Sequence, residues 1–98
     1  MALDLDFLKS VAKQMMSQPI VRVWEQTSQV RRTGSMRLRT VRFEMGGLEY
    51  QAIEQNREKP SRWGQLARQG HRVVQFRSVQ SGRYVAVAVD DQIKEYGA

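Results

Sequence analysis

The feature that most constrains this fold is a pair of glycines with alternating apolar and polar residues on both sides. Residues 41–45 alternate apolar with charged side chains, Gly46-Gly47 follows, and residues 48–52 alternate again. Alternation puts the apolar side chains of a strand on one face, and two glycines supply the positive φ angles of a tight hairpin turn. The sequence therefore predicts a β-hairpin with three facing pairs: Met45 with Leu48, Phe43 with Tyr50, and Val41 with Ala52.

The N-terminal residues predict an amphipathic helix. Asp4 suits the N-cap, and Asp6 lies in the first turn, where the positive end of the helix favours an acid. Pro19 ends the helix at about Gln18. One apolar stripe runs along it at helical spacing, formed by Leu8, Val11, Ala12 and Met15. This stripe suits either packing on a sheet or a dimer contact.

A second, shorter helix is predicted in the middle of the chain. Ser61 is a suitable N-cap, and Gly70 suits the left-handed position that ends a helix. Between them, Trp63, Leu66 and Ala67 form an apolar stripe, which makes Trp63 a core anchor rather than an exposed stacking platform. Such a short helix depends on tertiary packing.

The remaining pattern is mostly that of strands. Residues 20–24 predict a weak strand, and the polar residues 25–35 predict a mobile loop. Met36 and Leu38 are out of phase with the strand that follows, which predicts an irregularity near Arg39-Thr40. In the last third, Val74, Phe76 and Ser78 are predicted to pair across a turn at Ser81-Gly82 with Val85, Val87 and Val89. A turn at Asp90-Asp91 then leads to a last strand over residues 93–96.

These elements predict an α+β fold: a mainly antiparallel meander sheet with an N-terminal helix and a short middle helix, in the order α-(β)-β-β-α-β-β-β. We expect both helices to pack on one face of the sheet. The predicted core residues are Leu8, Val11, Met15, Phe43, Tyr50, Trp63, Leu66, Val74, Phe76, Val85, Val87 and Val89. The sequence leaves open whether Trp24 belongs to the core or to an interface.

Composition bounds the class of protein. The 98 residues predict one small basic domain, 1–98, without a second core. With no cysteine and one histidine, neither a disulfide nor a metal site is expected, and no motif implies a cofactor. The N-terminus carries acids where a signal peptide needs bases, and the longest apolar run, 85–89, is too short to cross a bilayer. We therefore expect a cytoplasmic protein that does not bind membranes.

Positive charge is the strongest indication of a partner. Sixteen Lys and Arg against ten Asp and Glu give a net charge of +6, and twelve of the sixteen are Arg. The planar guanidinium suits phosphate groups, and an excess of this size attracts polyanions such as RNA and DNA. The predicted nucleic-acid-binding residues are Arg31, Arg32, Arg57, Lys59, Arg62, Arg68 and Arg72.

Three classes of function are consistent with these observations. The first is non-enzymatic nucleic-acid binding through phosphate contacts with low sequence specificity. The second is a protein-interaction or homodimerisation module that uses a strand edge or the N-terminal helix. The third is a small basic ribonuclease-like enzyme, although the sequence holds no phosphate-binding loop or nucleophile elbow.

His71 is the residue on which the enzyme hypothesis depends. As a general acid or base it would act with Arg72 or Arg68, which would stabilise the charge that develops on a phosphate. This chemistry needs a second proton-transfer group, for which the candidates are Glu54, Glu58 and Tyr50. In a structural role, His71 would instead be a partly exposed residue that bonds a terminal carbonyl of the middle helix.

Overall fold

The computed structural model describes residues 5–24, 31–33 and 36–97, with only the backbone of 31–33 and 36–38. The elements within these residues are α1 (Leu5–Met15), β1 (Ile20–Val23), β2 (Arg31–Thr33), β3 (Met36–Leu38), β4 (Thr40–Met45), β5 (Leu48–Glu54), α2 (Arg62–Arg68), β6 (Val73–Ser78), β7 (Tyr84–Val89) and β8 (Gln92–Tyr96). One six-stranded antiparallel sheet has the order β1-β4-β5-β6-β7-β8, and β2 pairs with β3 separately. The predicted α+β class is confirmed.

The β4–β5 hairpin has the predicted register. Met45 faces Leu48, and the two other predicted pairs also face each other. Gly46 and Gly47 adopt φ angles of 61° and 77°, which residues with a Cβ atom rarely adopt. Because the turn and the alternation are both local, this part of the fold follows directly from neighbouring residues.

The main core lies between α1 and one face of the sheet. The apolar stripe of α1 is buried there, together with alternate residues of β4 to β7. The ring of Phe43 stacks on Tyr50 with centroids 5.6 Å apart and meets the edge of Phe76 at 6.0 Å. The helix ends at Met15 rather than near Gln18, because the chain must turn into β1 at Ile20. The predicted N-cap, Asp4, lies outside the described residues.

The second helix packs on the opposite face of the sheet, so the prediction that both helices share one face is wrong. A second, smaller cluster joins Trp63, Leu66 and Ala67 of α2 to strand residues Val73, Val87 and Val89. On β6, Val73 alternates with Val74, which belongs to the core beneath α1. Strand β7 is apolar on both faces, and β6 adds Val73 to the face that α2 covers, so this end of the sheet accepts a helix on either side.

The β6–β7 pairing is one residue out of the predicted register. Val73 faces Val89 and Gln75 faces Val87, while Val74 and Phe76 face the small side chains Ala88 and Ala86. An irregularity between Phe76 and Arg77 shifts the pairing near the turn. Nine of the predicted core residues are buried, whereas Val85, Trp63 and Leu66 are only partly buried.

The segment predicted as a loop contains a strand. Residues Arg31–Thr33 form β2, which pairs with β3 so that Arg32 faces Arg37. The prediction of a loop at 31–33 is therefore wrong; residues 25–30 and 34–35 lie outside the described part. The expected irregularity occurs at Arg39, where the chain passes from the small sheet to the large one. Backbone pairing needs no apolar pattern, which is why sequence periodicity missed β2.

Candidate nucleic-acid interface

The segment before α2 is folded against that helix by Arg68. Its Nη1 donates to the carbonyl oxygen of Lys59 at 2.9 Å and also to that of Arg57. Ser61 begins the helix as predicted, and its hydroxyl accepts a hydrogen bond from the Gly64 N–H at 3.2 Å. These contacts bring the cations of residues 57–68 onto one short segment, called the basic segment below.

The predicted binding residues fall into three groups. Arg57, Lys59, Arg62 and Arg68 belong to the basic segment and are exposed. Arg72 is placed elsewhere: its guanidinium lies over the Phe7 ring of α1, 4.4 Å from the centroid. Arg31 and Arg32 lie on β2, and their side chains are outside the described part of the structure.

A cluster of cations around an aromatic ring lies at one end of the large sheet. The guanidinium carbons of Arg22 and Arg42 are 4.4 and 4.5 Å from the centroid of the half-buried Trp24 ring. Contacts of this kind attract the cation to the ring face. Arg42 also pairs with Glu49, yet 43% of its side chain stays exposed. We call Arg22, Trp24 and Arg42 the Trp24 cluster.

The Trp24 cluster lies on the same sheet face as α2. Arg42 alternates with the core residues Val41 and Phe43, which face α1. Its side chain therefore points to the other side of the sheet. The register continues this polar row across the sheet: Trp24 hydrogen-bonds to the backbone of Arg42, Arg42 faces Gln51, and Gln51 faces Arg77. We call this side of the sheet the distal face. It combines the basic segment with the Trp24 cluster.

The binding residues predicted from the sequence do not include the arginines of this row. Arg22, Arg42 and Arg77 occupy the polar positions of otherwise apolar strands, which the alternation pattern treats only as solvent-facing. The sequence pattern does assign each of these arginines to the polar face of its strand. When such strands pair side by side, their polar faces form one surface. Only the strand order decides which strands are neighbours.

A small pocket lies where β5 ends and β6 begins. It has a volume of about 190 Å³ and is lined by Glu54, Gln55, Arg57, His71 and Arg72 among others. Arg57 belongs both to this pocket and to the basic segment. The structure therefore brings Glu54, one of the candidate second groups, to the same pocket as His71. We call it the His71 pocket.

The ring of His71 is held by an acid rather than by the helix. Its Nδ1 lies 3.0 Å from Oδ2 of Asp90, and only its backbone N–H bonds a carbonyl of α2, that of Leu66. His71 therefore does bond a terminal carbonyl of the helix, as its structural role predicts, but through the backbone N–H, while the ring bonds Asp90. The hydrogen bond from His71, followed by that from the Arg72 N–H, lowers the pKa of Asp90 below its ordinary value of 3.8. Asp90 thus stays ionised beside the imidazole.

A second pocket is apolar and lies on the α1 side. It has a volume of about 300 Å³ and is lined by Met15, Met16, Leu48, Tyr50 and Tyr96 among others. Burial raises the pKa of Tyr50, and the neighbouring Tyr96 raises it further. This pocket carries no cation, so it does not contribute to the basic surface.

Comparison with other proteins adds no family to this description. No family model, no curated protein and no solved structure matches the chain. Within residues 5–24, 31–33 and 36–97, no group of three or more acids and histidines is placed to hold a metal ion. Neither helix in that part of the chain has the length and apolar character needed to cross a bilayer.

Proposed function

We propose that this protein binds single-stranded nucleic acid on its distal face, through phosphate contacts and with little sequence specificity. The observation that supports this most is the Trp24 cluster, in which one aromatic ring contacts two exposed arginines on the distal face. The basic segment adds four cations on the same face. The predicted cytoplasmic location remains a prediction, and RNA would be the more abundant partner there.

The proposed role of Trp24 is to hold two guanidiniums in place. A free arginine side chain loses substantial rotamer freedom when it binds, and a side chain already held against a ring loses less. Guanidiniums fixed in this way can contact successive phosphates of a flexible strand. The row that continues through Gln51 to Arg77 offers further polar contacts along the same direction.

The test is a titration that compares two double variants with equal charge. One removes Arg22 and Arg42 (R22Q/R42Q); the other removes the exposed α1 residues Lys9 and Lys13 (K9Q/K13Q). Binding of fluorescent single-stranded and double-stranded RNA and DNA is measured by anisotropy at two salt concentrations. We expect R22Q/R42Q to weaken single-strand binding about tenfold and to flatten the slope of log K against log salt by about 1.5.

The control decides where binding takes place. K9Q/K13Q removes the same charge from the α1 side, so it should leave most of the affinity. An equal loss in both variants would show that binding is spread over the whole surface. If the parent protein binds none of the four nucleic acids at low salt, the proposal is wrong.

A second candidate function is pairing with another protein chain at β1. This strand lies at one edge of the large sheet, and 64% of Val21 is exposed. An open edge with few charges invites a further strand. The alternative contact, the apolar stripe of α1, is excluded because it is buried in the core. Light scattering at high micromolar concentration tests this candidate: a monomer would contradict self-pairing, and Val21→Lys should dissociate any dimer.

A further inference from the structure

We propose that the His71 pocket cleaves single-stranded RNA, with Glu54 and His71 as the two proton-transfer groups. This inference rests on the proposed binding function, because the strand must first reach the distal face. Arg57 connects the two, since it belongs to the basic segment and lines the pocket. Binding and cleavage are nevertheless separate properties and can fail separately.

The composition of the pocket fits a phosphodiester. A site for a simple anion needs cations and no acid, whereas Arg57 would repel a cationic ligand. A carboxylate, an imidazole and the cationic Arg57 around one space suit a group that is negatively charged and also exchanges protons. A volume of about 190 Å³ is below that of sites for drug-sized molecules. It therefore suits the backbone of a strand rather than a whole nucleotide.

Asp90 gives His71 a defined orientation. A carboxylate only accepts hydrogen bonds, so Nδ1 of His71 carries the proton in this contact and Nε2 remains for a substrate. The same carboxylate accepts the Arg72 N–H at 3.1 Å through its other oxygen. Asp90 thus connects the β7–β8 turn to the segment that enters β6. We assign it the part of a positioning residue.

One carboxylate oxygen of Glu54 has no hydrogen-bond partner among the described residues. Its Oε2 is buried and accepts no hydrogen bond from the described residues, and the neighbouring Gln55 Oε1 is also without a donor. Buried acceptors are usually satisfied, since leaving one unpaired destabilises the folded state. A carboxylate oxygen kept at the wall of a pocket without a donor is available to take a proton from a ligand.

The reaction balances without a metal or another reactant. The Glu54 carboxylate takes the proton from a ribose 2′-hydroxyl, and the 2′-oxygen forms a bond to the adjacent phosphorus. The bond from phosphorus to the 5′-oxygen breaks, and protonated His71 gives its Nε2 proton to that leaving oxygen. Arg57 stabilises the charge on the phosphoryl oxygens. The products are a 2′,3′-cyclic phosphate and a 5′-hydroxyl.

The experiment uses the full chain and an unstructured, end-labelled RNA oligonucleotide in the presence of a chelator. The matched DNA oligonucleotide, which lacks the 2′-hydroxyl, is the substrate control. The test variants are Glu54→Gln and His71→Gln. The control variant is Glu95→Gln, which makes the same substitution as the first but on the exposed strand β8. We expect the parent and E95Q to release the cyclic phosphate from RNA, and E54Q and H71Q to be at least about 100-fold slower.

Binding is measured in the same samples, which separates the two proposals. RNA binding without cleavage overturns the catalytic inference and leaves the proposed function intact. A parent protein that neither binds nor cleaves RNA overturns both the proposed function and the catalytic inference. Equal cleavage by all four preparations identifies a contaminating nuclease and overturns the inference, and cleavage of DNA overturns the 2′-hydroxyl mechanism.

A pH profile keeps the inference testable if E54Q or H71Q fails to fold. The rate of the parent protein should pass through a maximum with pH, because the mechanism needs one group without its proton and the other with it. The charged groups facing His71 are Asp90 from the β7–β8 turn, Glu54 and Arg57 from β5 and the loop after it, and its neighbour Arg72. Asp90→Asn should shift the falling limb, whereas a purely structural Asp90 would lower the rate equally at every pH.

Discussion

At the scale of single residues, Gly64 illustrates a conflict between local preference and packing. It lies inside α2, where alanine is preferred over glycine by about 1 kcal/mol. A Cβ atom at this position, however, would overlap the backbone carbonyl oxygen of Lys59, which also accepts the Arg68 hydrogen bond. Backbone atoms cannot move aside as cheaply as the end of a side chain. Packing therefore outweighs helix propensity here.

We accordingly expect Gly64→Ala to destabilise the protein. Overpacking of this kind destabilises a protein by about 1–3 kcal/mol. The greater helix propensity of alanine offsets only part of that. For a domain of this size the melting temperature should fall by about 5–10 °C. Gly97→Ala is the control, because no atom lies within 4 Å of its added Cβ. A thermal melt in which G64A matches or exceeds the parent would show that the Lys59 segment moves freely.

Asp90 carries a prediction about pH. Its pKa is lowered in the folded protein, first by the His71 hydrogen bond and then by the Arg72 N–H, so the ionised form favours folding. This stabilisation is present above the ordinary pKa of 3.8 and is lost as the pH falls through the lowered value. It should be small, because 56% of the side chain is exposed and solvent screens the charge.

The measurement compares the parent with Asp90→Asn by urea unfolding at several pH values. Asparagine tolerates the positive φ of 55° at this position, so the substitution isolates the charge. D90N should be less stable at about pH 7, and the difference should disappear at low pH. A difference that persists unchanged at low pH would mean that the contact does not depend on ionisation.

At the scale of elements, α2 depends on its surroundings. Seven residues form too few hydrogen bonds for an isolated helix. Two contacts compensate: its apolar side chains pack on Val73, Val87 and Val89, and Arg68 ties it to the preceding segment. Arg68 is therefore at least as much a structural residue as a phosphate ligand.

Arg68→Ala should destabilise the basic segment. Hydrogen bonds from a charged donor contribute about 1.5–3 kcal/mol when protected, and we expect about 1 kcal/mol for this exposed one. Hydrogen exchange should show faster exchange of the Glu58 amide, which donates to Asn56 in the tied segment. Arg62→Ala removes the same charge from the same helix but only a ring contact to Trp63, so its effect should be smaller. Equal effects in the two variants would contradict the structural role.

At the scale of the whole molecule, the fold separates a packed side from a charged side. α1 covers one face of the sheet, whereas α2 covers only part of the other, so the polar row from Trp24 to Arg77 remains on the distal face. The net charge of +6 attracts polyanions, and this arrangement determines which face they meet.

Salt dependence is the prediction that belongs to this scale. Four to six phosphate contacts imply that log K falls against log salt with a slope of roughly −3 to −5. Titration with a single-stranded oligonucleotide over a series of salt concentrations measures this slope. A slope near zero, with binding still present, would indicate that apolar contacts rather than phosphates carry the affinity.

The sequence alone determined the elements whose information is local. The β4–β5 register followed from Gly46-Gly47 and the flanking alternation, and the first helix followed from one apolar stripe. The start of α2 followed from Ser61. In each case the turn, cap or stripe lies within a few residues of what it specifies, so neighbouring side chains are sufficient.

Only the tertiary structure decided the face on which α2 packs and the make-up of the candidate site. Strand β7 is apolar on both faces, so its pattern contained no preference for one side. Glu54 and His71 line one pocket because the Gln55 N–H bonds the Val73 carbonyl, and Asp90 reaches His71 through the β6–β7 pairing. Residues this far apart are brought together by backbone hydrogen bonds between strands. Those bonds are the same for nearly every side chain, so the sequence pattern does not reveal them.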